Sequence, residues 1–198
     1  MHSNKRARAA AGRVRIVGGA WRSRRLEVAA RPGLRPTPDR VRETLFNWLG
    51  QDLAALACLD LFAGSGALGF EAASRGAARV VLVERDRVAL AALARAKAAL
   101  GARRVEIVAA DAHAYLERAR ERFDVVFLDP PFRQNAVPAL LGRLPALLKS
   151  GARVYAEAAA PVEARAPWRE LRRGRAGEVS YQLLEWSADD PSGLSRDV

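Results

Sequence analysis

At 198 residues the chain can bury one substantial core plus a small appendage, and no apolar run nears the roughly 18 residues of a membrane span. A single cysteine, Cys58, and two separated histidines, His2 and His113, argue against an internal disulfide, a Cys-rich zinc site and a His-based metal centre, so no metal is expected. The formal net charge is +11, and Arg outnumbers Lys 30 to 3, a bias that favours planar, bidentate contacts to phosphate.

Much of that charge lies at the start. Residues 1–31 carry nine Lys or Arg against the one acid Glu27, a net +8, which reads either as a nucleic-acid footprint or as a solvated basic tail. Residues 1–12 read as a disordered tail, and the absence of an apolar stretch behind Met1–Arg8 points to a cytoplasmic protein. Two short strands are expected at Arg15-Ile16-Val17-Gly18-Gly19 and Arg25-Leu26-Glu27-Val28, forming a basic hairpin. Arg13, Arg15, Trp21, Arg22, Arg24 and Arg25 are its candidate RNA contacts; the competing reading is a hairpin that simply packs on the domain. A helix follows, with Thr37 as N-cap, Pro38 at the first helical position and Gly50 as its stop. Residues 13–50 thus form a hairpin-and-helix extension.

From residue 57 strands alternate with Ala-rich helices. Strands are predicted at 57–62, 79–84, 104–109, 124–129 and 152–157, with helices near 67–75, 86–100, 112–121 and 135–148. This is the pattern of a parallel sheet with crossover helices. Two last strands, 168–173 and 178–186, meet at Ala176-Gly177 as an antiparallel hairpin, and 187–198 reads as a polar tail. The domain proper therefore spans 51–186.

Two motifs carry chemistry. Asp60-Leu61-Phe62-Ala63-Gly64-Ser65-Gly66-Ala67-Leu68-Gly69 joins the first of these strands to a helix, with glycines that let the backbone approach a ligand. Its Gly64-x-Gly66-x-x-Gly69 spacing also fits a dinucleotide, with Glu84 placed for ribose hydroxyls. Asp60, however, would oppose a pyrophosphate, and Asp111-Ala112 could meet an adenine, so S-adenosylmethionine fits better. The second motif, Asp129-Pro130-Pro131-Phe132, ends the apolar run Val125–Leu128. Each proline fixes its own φ and restricts the residue before it, holding a carboxylate, a carbonyl and a ring at the carboxyl end of a strand. That group can grip an amino-bearing base: Asp129 and the Pro130 carbonyl accept its N–H groups while Phe132 stacks. Asp129 is expected to be ionised. Cys58 reads as core, and His113 has no role.

Together with Arg15–Arg22, Arg35–Leu49 and Glu71–Ala77, these motifs resemble a class I methyltransferase. More narrowly, they resemble the RsmD family of bacterial 16S rRNA guanine-N2 methyltransferases, over about Arg13 to Trp186. The resemblance implies a Rossmann-like α/β fold with a seven-stranded, mostly parallel sheet, S-adenosylmethionine as cofactor, and the rRNA of the small ribosomal subunit as partner. Cofactor contacts are then expected from Asp60, Phe62, Ala63, Gly64, Ser65, Gly66, Glu84, Arg85, Asp111 and Ala112, with Thr37 and Arg42 closing over the methionine end. A monomer is expected. Two alternatives stay open: an adenine-N6 or cytosine-N4 methyltransferase acting on DNA or other RNA, and a non-catalytic RNA-binding assembly factor.

Overall fold

The computed structural model describes residues 12–28, 37–131 and 136–187. The expectations for the two tails and for Phe132 lie outside these residues. β1 (Gly12–Arg15) and β2 (Arg25–Val28) form an antiparallel ribbon in which Val14 faces Leu26 and Arg15 faces Arg25. Period-2 alternation then turns Val14, Leu26 and Val28 inward and Arg13, Arg15, Arg25 and Glu27 to solvent. The first strand thus ends earlier than expected, before Val17 and the glycines. The reason is tertiary: the Val17 and Gly18 N–H groups donate to Glu71, at 2.8 and 2.7 Å, instead of to a strand. Gly19 sits at φ +73°, and a Cβ there would come within 2.0 Å of the Ser74 carbonyl oxygen. Only glycine allows that approach.

α1 (Asp39–Leu49) starts after Pro38, which occupies the N-cap itself without any side-chain cap. Thr37 is therefore not the cap; its hydroxyl is committed elsewhere. Gly50 ends the helix as expected. The domain then runs β3 (Ala57–Asp60), α2 (Ala67–Ser74), β4 (Arg79–Glu84), α3 (Arg87–Leu100), β5 (Val105–Ala109), α4 (Ala112–Arg118), β6 (Phe123–Leu128), α5 (Val137–Arg143), β7 (Leu148–Ala158), β8 (Trp168–Ala176) and β9 (Val179–Trp186). α5 is shorter than the predicted helix because Pro145 cannot donate into it; a 3₁₀ turn, Pro145–Leu147, leads directly into β7.

The seven strands lie in the order β5-β4-β3-β6-β7-β9-β8, parallel from β5 to β7 and antiparallel at β7/β9 and β9/β8. Chain direction across the sheet reverses between β3 and β6, the topological switch point where such sheets bind ligands. One core, with Phe46, Phe70 and Phe127, lies under α1 and the hairpin, whose Ile16 and Leu26 enter it. The other, with Phe123, Leu140 and Leu147, lies under α4 and α5. No helix among the described residues is long and apolar enough to cross a membrane.

Candidate active site

The carboxyl edge of the sheet carries an acid at or just beyond the end of five strands: Asp60 (β3), Glu84 (β4), Asp111 (β5), Asp129 (β6) and Glu157 (β7). Asp60 is buried, and its Oδ2 accepts the Gly69 N–H at 3.1 Å, tying β3 to the first turn of α2. Burial pushes its carboxyl up to about 7; the backbone N–H groups of Gly69 and Phe62 pull the other way. The intervening loop is held by Ala63 N–H donating to the Val83 carbonyl at 3.0 Å, with Phe62 and Gly64 partly exposed and Ser65 buried. Gly64 and Gly66 both take positive φ, +50° and +75°. A Cβ on Gly66 would collide with the Phe70 ring at 2.6 Å, so the glycine is also a packing requirement.

Glu84 braces this loop as much as it faces the cleft. Its Oε2 accepts the Gly64 N–H at 2.9 Å and its Oε1 those of Arg85 and Asp86 at 2.9 and 2.8 Å. A carboxylate has about four lone-pair sites, so room for a ribose hydroxyl remains. Asp111 caps α4 through His113 N–H at 2.9 Å and accepts the Arg85 guanidinium at 3.0 Å, while Ala112, the first residue of α4, is buried. Partial desolvation raises the Asp111 carboxyl, but the His113 N–H and Arg85 outweigh it and hold it below the usual range. His113 itself contacts Arg143 through Nδ1 at 2.8 Å.

At the β6 end, Asp129 makes no hydrogen bond to any described residue. Burial, then the neighbouring carboxyls of Glu157 and Asp60, drive it well above the usual carboxylate range. Burial pushes Glu157 up too, against the hydroxyls of Tyr155 and Thr37, which donate to its Oε1 at 2.8 and 3.0 Å. The expectation of an ionised Asp129 therefore meets opposition in the ligand-free protein and requires a cation nearby. Pro130, Pro131 and Glu157 line a cleft of about 280 Å³ with Val137 and Ala158–Ala160. Glu157 was missed in the sequence, although it ends a predicted strand of the same sheet just as Asp60 and Glu84 do.

Arg42 is placed away from this cleft. It is fully buried and each of its three side-chain nitrogens is engaged: Nε to the Thr37 carbonyl (3.2 Å), one terminal nitrogen to Glu71 (3.3 Å), the other to the Arg15 carbonyl (2.7 Å) and Asp39 (2.5 Å). Glu71 also accepts Arg75 at 3.0 Å, so its carboxylate fastens the hairpin, α1 and α2 together. Of the hairpin residues, Trp21 is half-buried against the core and its N–H donates to Ser74 Oγ at 2.9 Å. Arg13 and Arg22 are exposed, Arg15 pairs with Asp39 at 3.2 Å, and Arg24 donates to the Ala99 carbonyl at 3.0 Å on the rim of a groove that Arg25 and Arg95 also line.

The buried Asp60 and Glu157 and the half-buried Asp129 thus form an acidic group with no cation among the groups acting on them. That donor set opposes a pyrophosphate and suits a phosphate-free ligand bearing an ammonium and a sulfonium, beside the Gly64–Gly66 loop, Glu84 and Asp111. The residues present fit S-adenosylmethionine. Cys58 is an inert thiol, its pKa pushed up to about 12 by burial, then by the carboxylates of Asp124 and Asp60.

A family model described as "Conserved hypothetical protein 95" matches residues 14–185. The ribosomal RNA small subunit methyltransferase D of Escherichia coli (strain K12) is 42% identical over 188 residues, covering 91% of this chain and 94% of that protein. Its namesake from Haemophilus influenzae is 40% identical over 184 residues, covering 89% of this chain and 95% of that protein. A solved Escherichia coli structure with 42% identity superposes with a TM-score of 0.82 over 90% of this chain and 100% of its own. With the edge acids, the glycine loop and the Asp129-Pro130-Pro131 corner all at the carboxyl edge of one sheet, these likenesses show that the chain belongs to the family of the ribosomal RNA small subunit methyltransferase D proteins, on the fold of class I S-adenosylmethionine-dependent methyltransferases.

Proposed function

We propose that this protein methylates the exocyclic N2 amine of a guanine in 16S rRNA of the small ribosomal subunit. The observation that carries the reading is the Asp129-Pro130-Pro131 corner, whose prolines line the apolar cleft and whose strand β6 pairs with β3, the strand that ends in Asp60. When bound, S-adenosylmethionine supplies an electrophilic methyl group carried on a sulfonium. Asp60, the Gly64–Gly66 loop, Glu84 with Arg85, and Asp111-Ala112 would hold it.

The guanine 2-amino group is a poor nucleophile because its lone pair is delocalised into the ring. The Asp129 carboxylate and the Pro130 carbonyl accept its two N–H bonds and turn the lone pair out of the ring plane. Asp129 also stabilises the positive charge that develops on the nitrogen. Phe132 stacks on the base, which must be unpaired or flipped out to reach the cleft. Alignment supplies most of the rate enhancement. The outward arginines of the hairpin, Arg13, Arg22 and Arg25, with Arg15, Arg24 and Trp21, form the docking surface for the RNA backbone.

Methyl transfer from labelled S-adenosylmethionine tests this on small subunits lacking the modification, with naked rRNA and duplex DNA in parallel and Asp129→Ala as control. N2-methylguanosine from subunits, lost in the variant, is expected. Methyladenine or methylcytosine would replace the guanine reading, and RNA binding without transfer to any substrate would leave an assembly factor.

A further inference from the structure

The cleft beside the Asp129-Pro130 corner is lined by proline, alanine and valine, with one charged side chain among the described residues, Glu157. Glu157 is only 6% exposed. Its Oε1 already accepts both the Thr37 and Tyr155 hydroxyls, whereas Oε2 accepts no hydrogen bond from any described residue. Oε2 is not sealed off from solvent, so at the wall of this mostly apolar slot it is open to a donor on a ligand. The two hydroxyls fix the carboxyl group in one plane, so its free oxygen has a defined direction. Thr37 immediately precedes Pro38, the N-cap of α1, and is itself buried.

Resting on the guanine-N2 reading above, we infer that Glu157 accepts the ring N1–H of the target guanine and so separates guanine from adenine and cytosine at this site. N1–H lies next to the 2-amino group on the same edge of guanine, and Glu157 ends the strand adjacent to the one that presents Asp129. One carboxyl then takes the amine while the other takes the neighbouring ring proton. In adenine and cytosine the ring nitrogen beside the amino group is an acceptor, and it would meet a carboxylate lone pair to lone pair. Two hydroxyls and a ring N–H donating to Glu157 all favour its ionised form, the form that cannot donate to adenine or cytosine. A site built around such a hydrogen bond rejects an analogue lacking it far more strongly than a purely apolar slot rejects a change of size.

The test uses the full chain and rRNA in which the guanosine identified by the methylation assay is replaced by 2-aminopurine riboside. That base keeps the 2-amino group but has no N1–H. Wild type should use it about 10⁴-fold less well than guanosine, by kcat/KM. In Glu157→Gln the amide can turn its NH2 to the bare N1, and the ratio should narrow by about tenfold or more. Tyr155→Phe, which removes one of the two anchors, should narrow it less. If both variants lose activity equally on the two bases, so that the ratio stays that of wild type, Glu157 only supports the fold and the inference falls while the function stands. If wild type makes no N2-methylguanosine from the guanosine RNA, the parent reading falls and takes the inference with it.

Discussion

Two groups of buried charges lie in this small domain, and they have opposite designs. Around Glu71, every charge has a partner: two backbone N–H groups, Arg42 and Arg75 converge on one carboxylate, and Arg42 spends its remaining donors on two carbonyls and Asp39. Around Asp129, Asp60 and Glu157, three carboxyls crowd together with no cation acting on them, and burial raises all three. The first group is finished without a ligand. The second is finished only by one. A saturated buried network reads as architecture, and an unsaturated one as a binding site.

Breaking each group should therefore hurt a different property. Glu71→Ala strands the fully buried Arg42 guanidinium and frees the hairpin, and should cost about 3–5 kcal/mol of stability in urea unfolding. That is a large share of the roughly 5–15 kcal/mol typical of a domain. Unchanged unfolding would mean that the clamp is ornamental. Asp129→Ala should do the reverse: a loss of roughly 10²–10³ in kcat with unfolding shifted by less than about 0.5 kcal/mol, because no partner is orphaned. Equal damage to stability and rate would erase the distinction between the two groups.

The comparison also explains what the sequence could disclose. The parallel sheet was legible because apolar runs of strand length recur between Ala-rich helices, and four of the five edge acids carry a second mark: Asp60 and Asp129 a glycine or proline motif, Glu84 its spacing from Gly64, Asp111 the helix start beside it. Glu157 was not noticed because Ala158-Ala159-Ala160 follow it, with no glycine or proline to mark a site. Arg42, one helical turn in from Thr37, reads as closing over the cofactor; its burial depends on Glu71, 29 positions on, a pairing that no local pattern displays. The same carboxylate ended the first strand early. Thr37 looked like a cap because its spacing to the helix was right, yet its hydroxyl binds Glu157, 120 positions away.

The pH response sharpens the contrast further. The folded Asp60 carboxyl lies at about 7, above its ordinary 3.8, so between these values the folded state binds more protons than the unfolded one. Stability should then fall as pH rises, by about 2 kcal/mol between roughly pH 5 and 7, and Asp60→Asn should flatten that slope. Affinity for S-adenosylmethionine should run the other way, rising towards pH 8 as the acids ionise to meet its cationic groups. Calorimetric titrations showing affinity constant across this range would argue that the acids are not its counter-ions.

A small effect on stability per site is expected from the surface that the Glu71 clamp holds in place. Arg22, Arg24 and Arg25 are exposed, and among the described residues their side chains make one hydrogen bond, from Arg24 to the Ala99 carbonyl. Replacing all three with Ala should move unfolding by only about 0.5 kcal/mol per site or less. If the ribbon is a phosphate-docking face, the same triple variant should weaken use of the RNA substrate at low salt. The slope of log affinity against log salt should drop by about 0.7–0.9 for each phosphate contact removed, with binding of S-adenosylmethionine untouched. If substrate use and salt slope stay at the wild-type values, the ribbon serves only to cover α2 and α3. The clamp would then be holding a lid on the core, and the RNA contacts would have to be sought on another face of the domain.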